Sequence, residues 1–232
     1  LGDVMRFYRQ CVLILVLGVT LCGLVVGSSK RSLSYKKSEF LAHLSLIVNQ
    51  RNDYLLRQRQ AIIQIYSKLS RGNAVSAPRL KWLGVMLNVY KVKQRQVNSE
   101  KSERQLLLRV NMIPVSLVLA QAINESNWGQ SRFARNANNL FGMWCHKKGC
   151  GIVPHSRPSG RTYEVKKYPS LADSVVAYFY NLNTNPAYRS FRIARSHMVK
   201  KGHSLSGSEL ASHLSAYSER GVHYVRSLQI LI

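Results

Sequence analysis

Glu125, the aromatics and amides that follow it, and Glu164 are the residues of this 232-residue chain whose types and spacing could do chemistry. Glu125 stands in Ala122-Ile123-Asn124-Glu125-Ser126-Asn127-Trp128-Gly129. Upstream, Val115, Val118, Leu119 and Ala122 recur at helical spacing, and Glu125 continues their stripe three residues past Ala122. Pro114 suits the first turn of that helix and Gly129 its C-terminal stop. A carboxyl on an apolar face is desolvated, which raises its pKa. A carboxyl still protonated near neutral pH can protonate a glycosidic oxygen. The same spacing also fits a helix-end Glu that only hydrogen-bonds a neighbouring loop, since structural networks bury carboxylates too.

The elements that must hold these residues are mostly helical. Residues 39–70 carry Leu41, Leu44, Ile47, Val48, Leu55, Ile62, Ile65 and Leu69 at helical spacing, and residues 71–78 break the pattern. Residues 80–97 read as a second helix, with Leu83, Leu87 and Tyr90 on one face. Residues 141–168 are punctuated by Gly and Pro, with β-like runs at Gly151-Ile152-Val153 and Thr162-Tyr163-Glu164-Val165, which suits a small β-hairpin lobe. Ser170 with Asp173, and Ser206 with Glu209, are helix starts of the capping-box kind. Val175, Val176, Phe179 and Leu182 form a core stripe after the first.

In that setting, residues 120–131 followed by Asn138-Asn139-Leu140-Phe141-Gly142 resemble the core motif of bacterial endo-β-N-acetylglucosaminidases. These form glycoside hydrolase family seventy-three, related to the mannosyl-glycoprotein endo-β-N-acetylglucosaminidase domain. Trp144-Cys145, Cys150-Gly151-Ile152-Val153-Pro154, Glu164-Val165-Lys166-Lys167-Tyr168 and Asn183-Thr184-Asn185-Pro186-Ala187-Tyr188 resemble the Bax-like subgroup. The likeness covers roughly residues 100 to 232. It implies a mainly α (α+β), lysozyme-like catalytic domain with Glu125 as general acid and a second carboxylate in the β-lobe. Beyond residue 113 the acidic residues are Glu125, Glu164, Asp173, Glu209 and Glu219. Asp173 and Glu209 have capping positions and Glu219 sits in a polar loop, which leaves Glu164. The plainer reading of Glu164 is an exposed strand residue paired with a lysine. If it plays no part, the substrate's N-acetyl group can serve as internal nucleophile. Sugar faces stack on aromatics and amides hold N-acetyl groups, so Trp128, Trp144, Tyr168, Tyr224, Asn138 and Asn139 are substrate-binding candidates. Phe141 and Phe179 are expected in the core.

Charge and the N-terminus set the surroundings. There are 34 Lys+Arg against 10 Asp+Glu, a net charge of +24. Residues 28–113 carry 17 basic and 4 acidic groups (+13), and residues 114–232 carry 15 and 5 (+10). A field this positive attracts polyanions. No nucleic-acid-binding fingerprint accompanies it, so anionic envelope polymers are the expected partners rather than specific nucleic acid. Residues 12–26 are nearly all apolar, with Arg6 and Arg9 before them and Lys30 and Arg31 after, which reads as an uncleaved signal anchor or a signal peptide. Cys145 and Cys150 bracket a Gly-containing loop and read as a local disulfide in an oxidising compartment. A metal site using His146 and His155 would lack the paired spacing of zinc ligands.

The expected organisation is therefore a signal anchor or signal peptide over 1–27 and a basic linker with a membrane-proximal helical region over 28–99. A glucosaminidase-like catalytic domain follows over 100–232. The expected activity is hydrolysis of β-1,4 bonds between N-acetylglucosamine and N-acetylmuramic acid in peptidoglycan, without metal or organic cofactor, in the cell envelope on the periplasmic side of the inner membrane. A lytic transglycosylase and a non-catalytic, membrane-tethered peptidoglycan-binding module are the alternatives.

Overall fold

A buried asparagine on a long helix locks the two halves of the fold together. Helix α1 (Lys37–Ser70) presents Phe40, Leu44, Val48, Leu55, Ile62 and Ile65 to the interior, spaced so that one apolar stripe runs its whole length. Asn52 interrupts the stripe and is itself buried. Its amide donates to the Ile113 carbonyl at 2.9 Å, and its carbonyl accepts the Ile113 N–H at 2.9 Å. A buried amide is tolerated only when its hydrogen bonds are made. Here they fix the short segment that leads into the Glu125 helix.

The computed structural model describes residues 37–93 and 97–232. The apolar run 12–26, the two cysteines in and beside it and the start of the basic linker lie outside the described residues. Among the described residues no helix is long and apolar enough to cross a membrane. Helices α2 (Ala77–Val89), α3 (Glu100–Arg109), α4 (Val115–Ser126) and α5 (Arg132–Ala137) follow α1. Then come strands β1 (Trp144–Cys145), β2 (Gly151–Ile152) and β3 (Glu164–Lys166), and helices α6 (Leu171–Thr184), α7 (Arg189–Lys200), α8 (Gly207–Ala211) and α9 (Val222–Leu231). Short 3₁₀ turns occupy Pro186–Tyr188 and Ser215–Tyr217. The strands form one antiparallel sheet in the order β1-β3-β2, with Trp144 opposite Val165, Cys145 opposite Glu164 and Ile152 opposite Val165. The protein is thus mainly α with a small antiparallel sheet.

Helix α4 is the centre of the molecule. Helices α1, α8 and α9 pack on it, and Leu117, Val118, Ala120, Gln121, Ala122 and Ile123 are all buried. Burial almost all round replaces the single stripe expected from the sequence. Each buried Leu, Ile or Val contributes about 1.5–3 kcal/mol relative to exposure, so this helix is held by packing rather than propensity.

Three features of the described structure go beyond the sequence reading. The boundary at residue 100 does not divide the described structure: Phe40, Leu44, Val48, Leu55 and Ile62 share one core with Leu117, Val118, Phe179 and Tyr224. The helix expected over 80–97 stops at Val89, and Lys91 turns the chain with φ 54°. Helix α7 buries Arg192 and Arg195 on its inward face beside Phe191 and Met198. Arg195 is fully buried and donates to the carbonyls of Leu108 (3.1 Å) and Met112 (2.9 Å) and to Asn183 Oδ1 (2.8 Å). Arg192 donates to the carbonyls of Leu182 and Asn185. These guanidiniums satisfy the carbonyls that helix ends leave unpaired, a task done here without carboxylate partners.

Candidate active site

Helix α4 ends one turn earlier than Gly129. Asn127 takes the left-handed conformation that closes it, and Trp128 and Gly129 also have positive φ, at 59° and 73°. The Ser126 hydroxyl braces this unusual turn, donating to the Ala122 carbonyl at 2.6 Å and accepting the Gly129 N–H at 2.8 Å. From the other side the Phe40 ring leaves no room for a Cβ at Gly129. Trp128 is thereby swung against Phe40, edge to face at 6.4 Å, with Lys37 Nζ 4.7 Å over its ring. Strained backbone of this kind persists only where surrounding packing over-determines it.

Glu125 sits half-buried at this helix end, and Gly142 passes directly over it. A Cβ on Gly142 would stand 3.4 Å from Glu125 Oε2, and its φ of +63° suits glycine. Burial pushes the Glu125 carboxyl above its usual range, opposed by hydrogen bonds from Tyr224 and Asn124 and by the Arg220 charge. Two chains of hydrogen bonds converge on it. Tyr178 Oη donates to Gln121 Oε1, Gln121 Nε2 donates to Tyr224 Oη at 2.7 Å, and Tyr224 bonds the Glu125 carboxylate. Arg220 donates to Asn124 Oδ1 at 3.3 Å, and Asn124 Nδ2 donates to Glu125 Oε1 at 3.2 Å. Because the Tyr224 oxygen already accepts from Gln121, its one proton is left for Glu125. Tyr217 stacks on Tyr224 with centroids 5.6 Å apart, and its hydroxyl donates to the Phe141 carbonyl at 2.9 Å. Burial raises the Tyr178, Tyr217 and Tyr224 hydroxyls, and the nearby Glu125 charge adds to the rise. The carboxyl thus faces a wall of neutral phenols.

Glu164 has the opposite environment. It is 5% exposed under the 145–151 loop, where Oε1 accepts the Gly149 N–H at 2.9 Å and Oε2 the Gly151 N–H at 2.7 Å. These backbone donors hold its carboxyl below the usual range, with a smaller push from the Arg157 charge. The loop is closed by a disulfide between Cys145 and Cys150, Cα–Cα 6.3 Å, as the spacing suggested. Glu164 lies within 4.8 Å of both sulfurs, but sulfurs bonded to each other offer no thiolate to a metal. From Gly142 beside Glu125 to Cys145 opposite Glu164 is three residues of chain, at most about 11 Å.

The other candidates divide by what they touch. Asn139 is buried and spends its amide on the backbone: Nδ2 donates to the Met143 and Lys166 carbonyls at 2.8 Å, and Oδ1 accepts from Phe141 and Met143. Asn138, left-handed at the end of α5, donates to the carbonyls of Tyr168 (2.9 Å) and Pro169 (3.2 Å). Both amides therefore pin the β-lobe to the helices. Tyr224 is fully buried and touches Glu125. Trp144 is 50% exposed and packs edge-on against Tyr163 at 4.3 Å, an open aromatic surface. Tyr168 is buried, its hydroxyl has no hydrogen-bond partner among the described residues, and burial pushes it to about 12. Phe141 and Phe179 are core, as expected. Sequence reasoning missed Gln121, Tyr178, Tyr217 and Arg220. The signal for Gln121 was present: a polar amide between Ala120 and Ala122 in an apolar run, one turn before Glu125.

A family model described as mannosyl-glycoprotein endo-beta-N-acetylglucosaminidase matches residues 101–229, which contain both glutamates and the tyrosine wall. The chain belongs to the glucosaminidase family. It is 35% identical over 189 residues to protein Bax of Escherichia coli strain K12, a span covering 82% of this chain and 66% of that protein. It is 42% identical over 53 residues to the exo-glucosaminidase LytG of Bacillus subtilis strain 168, covering 23% of this chain and 19% of LytG. The chain therefore spans just under two thirds of the length of Bax and about a fifth of LytG. No solved structure matches it. The matched family span begins inside α3, so the glucosaminidase-family residues are backed by α1, a helix upstream of that span.

Proposed function

We propose that this chain is a peptidoglycan hydrolase that cleaves β-1,4 bonds between N-acetylglucosamine and N-acetylmuramic acid in the cell envelope, through a lysozyme-like arrangement of helices and β-lobe. The observation that carries the reading is the opposite tuning of two glutamates, one at the end of α4 and one on the β-lobe: Glu125 raised by burial, Glu164 lowered by backbone N–H donors. Environments that push two carboxyls apart assign acid and base. Glu125 is the general acid, protonating the leaving oxygen as an oxocarbenium-like transition state forms. Tyr224 and Asn124 then stabilise the carboxylate left behind, since each donates to it. Glu164 is the ionised partner. Each of its oxygens keeps a lone pair beyond the backbone bond it accepts, enough to orient a water or to stabilise positive charge at the anomeric carbon. The half-exposed Trp144 supplies a stacking face for the sugar. The apolar N-terminal run would hold this domain at the periplasmic side of the inner membrane.

The backbone bonds on Glu164 also favour a second reading. A carboxylate tied by both oxygens is poorly free to attack, and the substrate's N-acetyl group would then be the internal nucleophile. Digestion of purified sacculi followed by mass spectrometry of the muropeptides tests the proposal. New reducing-end N-acetylglucosamine, lost by two to four orders of magnitude in Glu125→Gln, is expected. Anhydro products would make the chain a lytic transglycosylase. An undiminished Glu125→Gln rate would remove the acid.

A further inference from the structure

Away from the glutamates, helix α3 separates two recesses whose charge is almost entirely of one sign. The first, about 500 Å³, is lined by Lys91, Lys93, Lys101, Gln105, Arg109 and Thr184, with Val92 and Pro186 completing it. The second, about 450 Å³, includes Arg59, Lys101, Arg104, Gln105 and Lys200 around an apolar floor of Leu107, Leu108, Ile193 and Val199. Neither lining contains a carboxylate. Lys101 and Gln105, one turn apart on α3, belong to both, so the recesses flank one ridge of that helix and together make one cationic groove face. Among the described residues the only ion pair in the groove is Arg104 with the exposed Glu100, at 3.4 Å.

The cations divide by task. Arg59 and Arg109 spend their guanidiniums on the carbonyls of Leu107, Val110, Tyr90 and Lys91, so they are fixed in place and contribute field rather than contacts. Lys93, Lys101 and Lys200 are exposed and make no ion pair with a described residue. Lys91 lies 5.4 Å over the Tyr180 ring. Four or more like charges gathered in a concave surface repel one another, and a polyanion relieves that repulsion while its field lines are focused by the recess. Ammonium groups on flexible stems bind such a ligand as point charges, while Gln105 and Thr184 add hydrogen bonds.

We propose that this groove is a second binding site, for a linear polyanion carrying repeated phosphate or carboxylate groups, which crosses α3 over Lys101. No residue of the groove belongs to the Glu125 site, so the proposal stands whether or not the catalytic reading does. Its use would be to hold the protein on an anionic polymer while the Glu125 site works independently.

The experiment measures equilibrium binding of the full chain to tripolyphosphate, to polyglutamate and to anionic phosphatidylglycerol vesicles across a salt series. It compares wild type, the groove variant K93Q/K101Q/K200Q and the charge-matched variant K68Q/K81Q/R226Q, whose residues are exposed and lie outside both recesses. The groove variant should lose about tenfold or more in affinity for at least one soluble polyanion, and the matched variant less than threefold. Which of the two soluble probes responds tells phosphate from carboxylate. Equal losses in both variants would overturn the proposal, because the attraction would then be the diffuse field of a +24 chain. Binding to vesicles with none to either soluble polyanion would also overturn it, in favour of a membrane surface.

Discussion

Tyr224→Phe removes one oxygen and so tests the hydrogen-bond chain behind the acid. In the native protein Gln121 Nε2 donates to that oxygen at 2.7 Å and the hydroxyl proton goes to Glu125. The substitution leaves the buried Gln121 amide one acceptor short, which costs about 1–3 kcal/mol of stability. It also removes a hydrogen bond to a charged group, worth about 1.5–3 kcal/mol to the ionised form of Glu125. The sign follows from what the bond stabilises. Tyr224 favours the carboxylate, so its loss favours the protonated acid and moves the Glu125 titration upward, by about one pH unit at the low end of that range. The acid works protonated, so the alkaline limb of kcat/KM should move to higher pH. The plateau should fall at the same time, because the carboxylate formed in the transition state is less stabilised. Initial rates of reducing-end release from soluble glycan fragments between pH 4 and 9 provide the assay, with Gln121→Met as a second variant that should shift the limb the same way by less. A limb that stays in place, or moves down, in a folded Tyr224→Phe protein would refute the reasoning.

Further outcomes follow from the same structure. Lowering pH should release the disulfide loop before the core. The folded pKa of Glu164 lies below its unfolded value of about 4.3, so its contribution is complete above that value and drains as pH falls through the folded one. Faster hydrogen exchange at the Gly149 and Gly151 amides than expected from intrinsic rates, beginning below about pH 4, is the readout, and unchanged protection would contradict it. Replacing Cys145 and Cys150 by serine should cost about 2 kcal/mol, since so small a ring removes little unfolded-chain entropy. That is a melting shift of a few degrees, and activity should fall further than stability does if the loop shapes the site. Asn52→Ala should be worse, because it strips partners from both the N–H and the carbonyl of Ile113. A loss of about 2–4 kcal/mol is expected from two orphaned buried groups, measurable by urea denaturation, and a loss under 0.5 kcal/mol would show that the 110–114 segment is held by something else.

The sequence by itself marked Glu125 as a candidate acid and determined the disulfide and the mainly helical class of fold. Helical periodicity put Glu125 on an apolar face, where a carboxylate stands out within a few turns, and the family resemblance, not the spacing, made it the candidate acid. Cys145 and Cys150 were legible because two cysteines bracketing a Gly-containing loop in a chain expected to leave the cytoplasm read as a local disulfide. The mainly helical character and the sheet near residues 151 and 164 came from the same local rules of spacing, Gly and Pro. What only the tertiary structure decided was every relation between distant positions. That α1 belongs to the same core as α4 depends on Asn52 meeting Ile113, 61 residues away, and no local pattern encodes that meeting. Gln121, Tyr178 and Tyr224 become a relay only when α4, α6 and α9 converge. Asn138 and Asn139 looked like substrate amides, since an amide's chemistry is the same whether it faces a sugar or a carbonyl. Their partners, set by packing, are backbone groups of the β-lobe. The opposed tuning of Glu125 and Glu164 is tertiary for the same reason: burial and nearby donors set a pKa, and both arrive from elsewhere in the chain.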